Sequence, residues 1–385
     1  MTNPSKMTNL SKTTTNSSKI SKKPSKSTKN RAKAIATSPL ATEFWSSIQS
    51  LYPEANFLQS PEWGRMNELI GHKVIIEATS RAWCLMIVKN AKRGRYLEIP
   101  GGPLLDWENS AATHAMFTKI RSVAKSEKCV FVRLRPQLRS TPENLQIIAK
   151  LGLKKAPMHL HAEHTVILDL NKSEDDLLKE MRRQTRYEVR RADKLGITVD
   201  WSDSEDIFRE FQQVQAETAL RQHFVPPDLD TLLAERTAFN SANKVSAEAS
   251  GKVIKSHTEN PAARLYVAKT AEGAPIAYGL ILIDGSEAEY FEAASTELNH
   301  KLPGAYALQW QVIKDLKKLG VKRYNLWGIA PHGQKNHRYA GVTTFKTGFG
   351  GEIVEFVPAS DLVIRRIRYL LNLLVETIRK KKRHL

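Results

Sequence analysis

Residues 321–329 read VKRYNLWGI and residues 344–351 read TFKTGFGG. The first segment alternates polar and apolar residues and is rich in aromatic and β-branched types, which predicts a half-buried strand that ends at Gly328. The second segment places Lys346 between two phenylalanines, and its three glycines predict a tight turn around that cation. A lone cation on an apolar rim suits the binding of a polar or anionic group, although a lysine that only keeps a surface loop soluble fits the same pattern.

The composition is that of a folded protein with room for two domains. The chain has 385 residues, of which 41% are hydrophobic and 26% are charged, and these values are typical of globular domains. No apolar run reaches the roughly 18 residues that a membrane-spanning helix needs. Cys84 and Cys129 show no paired spacing and follow no signal peptide, so we expect buried free thiols in a reducing compartment. The sequence therefore predicts a cytoplasmic protein.

The net charge of +19 is concentrated at the two ends of the chain. Residues 1–42 carry nine lysines and arginines and no acid, and residues 362–385 carry eight against the single acid Glu376. The body between these ends is close to neutral. This distribution favours basic ends that hold an anionic polymer or an anionic membrane surface over a globally basic domain that coats nucleic acid.

Four segments follow from the pattern of composition and periodicity. Residues 1–41 are rich in Ser, Thr, Asn and Lys and are predicted to be a disordered basic tail. Residues 42–163 and 164–360 each show strands and helices in the order strand-strand-strand-helix-strand, which is the order of acetyltransferase (GNAT) folds. Residues 361–385 are predicted to be a C-terminal basic amphipathic helix. The predicted fold class is mixed α+β, with two tandem GNAT-like domains.

Two interpretations are open for the C-terminal segment. Its apolar residues recur at helical spacing, and its basic residues lie off that stripe or near the C-terminus, where the helix dipole favours them. The stripe could pack on the body of the protein and close it. Alternatively, the basic end of the helix could meet anionic lipid headgroups.

Arginines are concentrated in a helix predicted from Ser173 to Leu195. Arg182, Arg186 and Arg190 are four residues apart and share one face, where like charges cost roughly a few tenths of a kcal/mol per pair. The stripe is either a solvated surface or a surface that faces phosphates, whose geometry arginine suits.

The familiar catalytic motifs are absent from the sequence. There is no nucleophile elbow, no phosphate-binding loop, no Rossmann glycine fingerprint and no paired Cys and His spacing. His332 and His337 fall in a loop, where lone histidines are usually plain surface residues. We therefore expect neither a metal nor a cofactor.

Taken together, the motifs resemble those of the FemABX family of peptidoglycan interpeptide-bridge enzymes. The most specific matches are YNLWGI at residues 324–329, FKTGFGG at residues 345–351 and RYEVRRA at residues 186–192, and the weaker ones lie at residues 59–63 and 102–106. Members of this family are non-ribosomal peptidyltransferases that take an amino acid from aminoacyl-tRNA. The resemblance extends from about Phe57 to Val357.

The resemblance implies an enzyme with two GNAT-like domains that acts without a cofactor. The expected donor is aminoacyl-tRNA. The expected acceptor is the side-chain amine in the stem peptide of a muropeptide precursor, either lipid II or UDP-MurNAc-pentapeptide. Glycine, alanine and serine are all possible transferred residues. We expect a monomer in the cytoplasm, in peripheral contact with the inner face of the membrane where its basic ends allow it.

The resemblance also implies roles for particular residues. Phe345 and Lys346 match a pair near the aminoacyl ester, where Lys346 would stabilise the developing oxyanion and Phe345 would shape the pocket. The implied substrate-binding residues are Trp63, Arg65, Asp106, Arg221 and Trp327. Arg65 and Arg221 would hold the diphosphate, and Asp106 would lie near the acceptor amine without acting as a base. No coiled-coil arm is visible, so the tRNA would be held by the basic tail and by Arg182, Arg186 and Arg190.

Two other functions are compatible with the sequence. An acetyl-CoA-dependent GNAT N-acetyltransferase would share the fold, but Pro303 directly precedes Gly304 and removes one backbone N–H from the place where the pyrophosphate would bind. A non-catalytic protein that uses its basic ends to bind RNA or a membrane is the second alternative.

Overall fold

The structure is a computed structural model that describes residues 39–222, 224–250, 260–334, 337 and 339–382. The predicted disordered tail, residues 1–41, lies outside the described residues except for its last three, which begin a helix. The described residues belong to one compact unit. The boundary predicted between residues 163 and 164 stays a prediction.

The elements are numbered in chain order. The strands are β1 Lys73–Thr79, β2 Ala82–Ala91, β3 Gly94–Gly101, β4 Phe131–Pro136, β5 Lys154–Lys155, β6 His164–Asp169, β7 Thr198–Ser202, β8 Ala262–Lys269, β9 Pro275–Asp284, β10 Glu287–Ser295, β11 Arg323–Gly328, β12 Glu352–Glu355 and β13 Ser360–Val363. The α-helices are α1 Pro39–Leu51, α2 Pro61–Leu69, α3 Ser110–Ser126, α4 Pro142–Lys150, α5 Glu174–Glu180, α6 Arg183–Lys194, α7 Glu205–Gln222, α8 Leu229–Ser250, α9 Gly304–Lys318, α10 Ala340–Thr347 and α11 Arg366–Lys382.

Two sheets organise the fold. The first has the strand order β1-β2-β3-β4-β13-β5, and the second has the order β12-β6-β11-β10-β9-β8-β7. In each sheet a run of antiparallel strands leads through a crossover helix to a parallel partner: α3 connects β3 to β4, and α9 connects β10 to β11. Parallel neighbours require such a crossover. The predicted mixed α+β fold, with the same succession of elements in both halves, is confirmed.

The segment before α2 ties the first sheet together through Gln59. This residue is fully buried, and its amide donates to the carbonyl oxygens of Pro100 at 2.7 Å and Leu85 at 3.1 Å, while its Oε1 accepts from the Leu85 N–H at 2.8 Å. Ser60 then caps α2 by accepting from the Trp63 N–H at 3.0 Å, with Pro61 at the first helical position as predicted. The position of α2 against the sheet therefore follows from these buried contacts.

The end of the chain returns to the first sheet, which the sequence did not predict. Residues 360–363 form β13, which pairs with β4 and β5, and the predicted helix over residues 361–385 begins only at Arg366. The ladder places Asp361 beside Arg133 at 2.8 Å in the interior. The buried ion pair and the backbone hydrogen bonds stabilise a strand at residues 360–363, because the few apolar residues there favour a helix only weakly.

The single helix predicted from Ser173 to Leu195 is divided into α5 and α6. Met181 and Arg182 adopt extended backbone between the two helices. The Arg182 N–H donates to the Gly348 carbonyl at 2.8 Å, and the Cβ that Gly350 lacks would lie 3.0 Å from the Glu180 carbonyl oxygen. Tertiary packing against the glycine-rich segment thus overrides local helix propensity.

Candidate active site

A gap opens between β10 and β11 at their carboxyl ends. The two strands pair in parallel only from Glu287 to Glu289, opposite Arg323 to Asn325. Beyond that point each strand has a bulge against its other neighbour, between Tyr290 and Glu292 in β10 and between Asn325 and Gly328 in β11. Bulges bend strands and end pairing. In sheets with parallel strands, ligands bind beyond the carboxyl ends of those strands.

Lys346 reaches this gap from α10. Its side chain is buried, and Nζ donates to the Gly328 carbonyl of β11 at 2.9 Å. The same ammonium lies 5.7 Å from the centroid of the Tyr290 ring on β10. The predicted tight turn around Lys346 is wrong. Residues 340–347 form a helix, and the backbone turns tightly only at the glycines that follow this helix. The side chain nevertheless contacts both strands of the gap.

Burial makes the ionisation of Lys346 unusual. Removal from water lowers the pKa of Lys346 to about 7, with the nearby Glu292 carboxylate opposing this change. Burial likewise raises the pKa of Glu292 to about 7, against the opposing effects of a hydrogen bond from Gln215 and of the Lys346 charge. The Gln215 amide donates to Glu292 at 2.7 Å. Each of the two charges thus favours the ionised form of the other group.

A second buried carboxyl group stands behind this pair. Burial, followed by the charge of Glu292, raises the pKa of Glu235 well above its usual value. One oxygen of Glu235 and the amide oxygen of Gln215 are buried without a hydrogen-bond partner. Unpaired buried polar atoms are costly, and a functional role is one of the explanations for them.

Sequence reasoning missed Glu292, Gln215 and Glu235. A signal for Glu292 was present, since β10 is a predicted strand that contains three glutamates, and glutamates are rarely buried without a specific role. Gln215 and Glu235 lie on α7 and α8, and no local pattern connects either helix to β10. Their approach to Glu292 depends on tertiary packing alone.

An aromatic cluster brings the two motif tryptophans together. Phe57 lies 5.2 Å from Trp63 and 5.5 Å from Trp327, measured between ring centroids. Phe291, the neighbour of Tyr290 on β10, lies 5.8 Å from each tryptophan. The Trp63 indole N–H is buried without a partner, and Trp327 has a φ of 63°, an unusual value for a residue with a side chain. Strained backbone of this kind is enriched at binding sites.

The two arginines expected to bind diphosphate occupy different environments. Arg221, at the end of α7, donates to the Ser295 carbonyl and to Thr218 Oγ1 at 3.2 Å, and its other nitrogen lies 3.5 Å from Glu297. It therefore lies at the carboxyl end of β10, as does Glu292. Arg65, on α2 two residues after Trp63, is half-buried, and its Nε has no partner.

The remaining site predictions fall beneath or away from the gap. Phe345 packs on Tyr306 and Phe349, with ring centroids 5.1 and 5.2 Å apart, and so anchors α10 in the core. Asp106 is exposed at a separate cavity of about 440 Å³, also lined by Tyr52, where its carboxylate accepts from backbone N–H groups at 3.1 and 3.3 Å.

The three arginines of the predicted stripe are not equivalent. Arg182 donates to the Thr344 carbonyl of α10 at 3.1 Å and so supports the helix that carries Lys346. Arg186 donates to three carbonyl oxygens at the end of α5, at 3.0 to 3.3 Å. Arg190 is exposed to solvent. Of the three, Arg190 is therefore the freest to meet a phosphate.

A larger cavity of about 1170 Å³ lies at the amino ends of β10 and β11. Its lining includes residues 285–286, 322–323 and 350–352, and none of the residues predicted from sequence to form the site. Several of its charged groups are already paired, such as Arg139 with Glu352. Buried polar atoms without a partner occur at both ends of the strands, with Arg323 Nε at this cavity and Gln215 Oε1 and Glu235 Oε2 on the side of Glu292.

The described part of the chain contains no group of three His, Cys, Asp or Glu residues placed to hold a metal ion. Cys84 and Cys129 are free and buried as expected. Burial raises the pKa of both thiols, that of Cys129 to about 11, so neither is a reactive thiolate at neutral pH. In the described ranges, no helix has both the length and the apolar character to cross a bilayer.

Each of the two sheets contains one parallel strand pair joined by a crossover helix, and a buried ammonium lies at the gap of one pair. These features are those of a doubled GNAT-like acyltransferase. The chain belongs to the FemAB family, which it matches over residues 41–231 and 226–377. It is an aminoacyltransferase, as the sequence predicted. The family implies an aminoacyl-tRNA donor and a peptidoglycan precursor acceptor.

Similar proteins support this assignment along most of the chain. The aminoacyltransferase FemA of Staphylococcus epidermidis is 24% identical over 368 residues, which cover 79% of this chain and 88% of FemA. FemA of Staphylococcus aureus strain MRSA252 is 22% identical over 358 residues, which cover 76% of this chain and 85% of that protein. The crystal structure of FemX superposes with a TM-score of 0.71 at 18% identity, covering 86% of this chain and 97% of FemX.

Proposed function

We propose that this aminoacyltransferase moves glycine, alanine or serine from aminoacyl-tRNA to the side-chain amine of a peptidoglycan stem peptide, in the cytoplasm. The observation that carries the proposal is the buried ammonium of Lys346, which lies between the diverging ends of β10 and β11. Family membership supplies the reaction class. The site supplies a cation where the carbonyl oxygen of the donor ester would take up negative charge.

The proposed reaction is aminolysis of the ester. The acceptor amine attacks the ester carbonyl carbon, a C–N bond forms, and the carbonyl oxygen takes the negative charge. Lys346 holds the Gly328 carbonyl with one N–H and has two more N–H groups for this oxyanion. The C–O bond to the ribose then breaks, and the ribose oxygen takes up a proton that balances the one lost by the amine. Water exclusion strengthens each of these interactions.

Glu292 is proposed as a positioning residue for Lys346. Its negative charge favours the protonated form of a lysine that burial would otherwise neutralise. Gln215 fixes the orientation of the carboxylate, and the raised pKa of Glu235 disfavours a second negative charge beside it. The carboxylate thereby increases the charged fraction of Lys346 at pH values near its pKa of about 7.

The substrates would meet around this centre. Trp63 and Trp327 offer ring faces and one free indole N–H at the edge of the gap. Arg221 and the unpaired Nε of Arg65 are the proposed contacts for the precursor diphosphate, and Arg190 with the basic tail the proposed contacts for tRNA. Asp106 remains a proposed contact for the acceptor amine, although it lies at a different cavity.

The N-terminus of α9 argues against an acetyl-CoA-dependent enzyme. Such an enzyme holds pyrophosphate on free backbone N–H groups at a helix start. Here Pro303 has no N–H, the Gly304 N–H donates to the Leu302 carbonyl at 2.9 Å, and the Ala305 N–H donates to Asn299 Oδ1 at 3.0 Å. These donors are therefore already engaged.

The proposed function is tested by supplying the full chain with labelled donors. With a pool of charged tRNA and a muropeptide precursor, we expect label from glycine, alanine or serine to appear in the muropeptide, detected by mass. Labelled acetyl-CoA is expected to transfer nothing. Transfer of acetyl groups but not of aminoacyl groups would favour the N-acetyltransferase, and binding of RNA without any transfer would favour the non-catalytic protein.

Glu292→Gln is expected to move the alkaline limb of the pH profile of kcat/KM to lower pH. Loss of the carboxylate charge lowers the pKa of Lys346 below its value of about 7, so that the ammonium loses its proton at lower pH. Activity that requires Lys346 protonated therefore falls earlier as the pH rises.

The matched variant is Glu292→Asp, which retains the charge and should restore most of the alkaline limb. Glu210→Gln provides a control on α7, since Glu210 binds the Tyr278 hydroxyl away from Lys346. A purely structural role of Glu292 predicts lower activity at every pH with the alkaline limb unmoved. That result would remove Glu292 from the mechanism.

A further inference from the structure

The packed face of α11 combines polar groups with apolar contacts, since the Tyr369 ring lies 5.7 Å from that of Phe131 and Leu373 packs against the same cluster. The Tyr369 hydroxyl donates to Asp361 at 3.1 Å, and Asn372 accepts from Arg93 Nε at 2.8 Å. Glu376 forms an ion pair with Arg133 at 2.8 Å. Residues 369, 372 and 376 recur at helical spacing and lie on one side of the helix. The contacts of α11 with the body therefore include a buried polar network beside the Tyr369 ring.

The opposite face of α11 is apolar and open to solvent. Five large side chains recur at three- and four-residue spacing along it, with exposed fractions of 81, 60, 60, 59 and 47%: Ile367, Leu370, Leu371, Leu374 and Ile378. We call this set the exposed stripe. No other helix in the described part of the chain exposes more than two large apolar side chains. The interpretation in which this stripe packs on the body is wrong, because the buried charges of Arg133 and Asp361 draw the polar face inward.

Basic residues border the exposed stripe. Arg365 and Arg366 lie at the start of the helix and are exposed, as are Arg368 and Arg379 on the flanking side. The only acid of the helix, Glu376, is engaged by Arg133 on the packed face. The solvent-facing half of α11 thus combines an apolar stripe with positive charge and no free negative charge.

We infer that α11 lies in the plane of an anionic lipid surface, with the exposed stripe inserted among the acyl chains and the arginines at the phosphates. An in-plane amphipathic helix needs this combination of apolar stripe and cationic flanks, and arginine side chains can extend along apolar surface to reach headgroups. A second copy of the chain fits less well, since an isologous dimer would bring these arginines against each other. The lipid contact itself does not depend on the proposed function. Only its consequence rests on that function, namely that the enzyme reaches a lipid-linked acceptor at the bilayer surface.

Vesicle co-sedimentation of the full chain tests the inference without any substrate. We expect binding to phosphatidylglycerol/phosphatidylcholine vesicles that weakens with salt, and at least about tenfold weaker binding to phosphatidylcholine alone. The double variant Leu370→Glu/Leu374→Glu should lose at least about tenfold in partitioning to the anionic vesicles. The matched control Leu145→Glu/Ile353→Glu, which adds the same charge at exposed apolar sites on α4 and β12, should bind as the wild type does.

Several outcomes would overturn the inference. Equal loss in the stripe variant and the control would show that net charge alone governs binding. Binding that survives in the stripe variant but disappears on deletion of residues 1–38 would assign the membrane contact to the basic tail. A wild-type dimer in sedimentation velocity that the stripe variant converts to a monomer, together with no vesicle binding, would assign the stripe to a second copy. Failure of aminoacyl transfer with intact vesicle binding would affect only the proposed function.

Discussion

Lys346→Met is expected to lower kcat by about 10²–10³-fold, the usual effect of removing one oxyanion donor from an acyl-transfer site. Met matches the length of the lysine side chain but offers neither charge nor N–H group, so the oxyanion is left unstabilised. Substrate binding should change little, because the interaction strengthens only as the carbonyl oxygen becomes negative. The measurement is a single-turnover rate at saturating aminoacyl-tRNA and acceptor.

The Lys346→Met variant is also expected to remain folded. A lysine whose folded pKa lies below its unfolded value binds fewer protons when folded, so it destabilises the protein at every pH below the unfolded pKa. Burial lowers the pKa of Lys346 in this way, and Met removes this penalty, but Met also leaves the Gly328 carbonyl and Glu292 without the ammonium. Because these effects oppose each other, the midpoint of thermal unfolding should change little.

Lys179→Met is the matched control, because Lys179 is exposed on α5 and forms only a surface ion pair with Asp176. It should leave the single-turnover rate within about twofold of the wild type, as expected for a surface site. A Lys346→Met rate within about threefold of the wild type would contradict the oxyanion role, since one donor is worth far more than that. A lower midpoint of unfolding would show instead that Lys346 supports the fold.

The sequence was sufficient to predict the elements that its local pattern specifies strongly. The alternation in residues 321–329 predicted β11, and Ser60 with Pro61 predicted the start of α2. It also singled out Lys346, Trp63 and Trp327 through the motifs that contain them. In the structure Trp63 and Trp327 lie together around Phe57, and Lys346 contacts Gly328, the neighbour of Trp327.

Long-range contacts set the limit of sequence prediction. Gln215 and Glu235 meet Glu292 from two helices, and neither helix shows a pattern that points to β10. The break at Met181 depends on Gly348, which is distant in sequence. The apolar spacing correctly predicted a helix at α11. Which face of this helix is buried depends on Arg133, because the buried charge of Arg133 needs a partner from the polar face.

Arg133→Met is expected to lower the free energy of unfolding by about 3–5 kcal/mol, the usual cost of leaving a buried charge without its partner. Arg133 joins Asp361, which is fully buried, to Glu376 on α11. Without the guanidinium, the Asp361 carboxylate keeps only the hydrogen bond from Tyr369. Urea unfolding monitored by tryptophan fluorescence measures the loss. Arg139→Met is the matched control, because its partner Glu352 is exposed and such pairs contribute about 0–1 kcal/mol.

The stability deficit of Arg133→Met should shrink as the pH falls. Burial already raises the pKa of Asp361 even with Arg133 opposing it, and loss of Arg133 raises it further. A carboxyl group whose folded pKa exceeds its unfolded value binds more protons when folded, so the variant gains stability as the pH falls toward the unfolded pKa of about 4. Asp361→Asn in the same background should recover part of the loss at pH 8 and little at pH 5. A deficit that is the same at both pH values would mean that lost packing of Arg133, rather than an unpaired carboxylate, destabilises the variant.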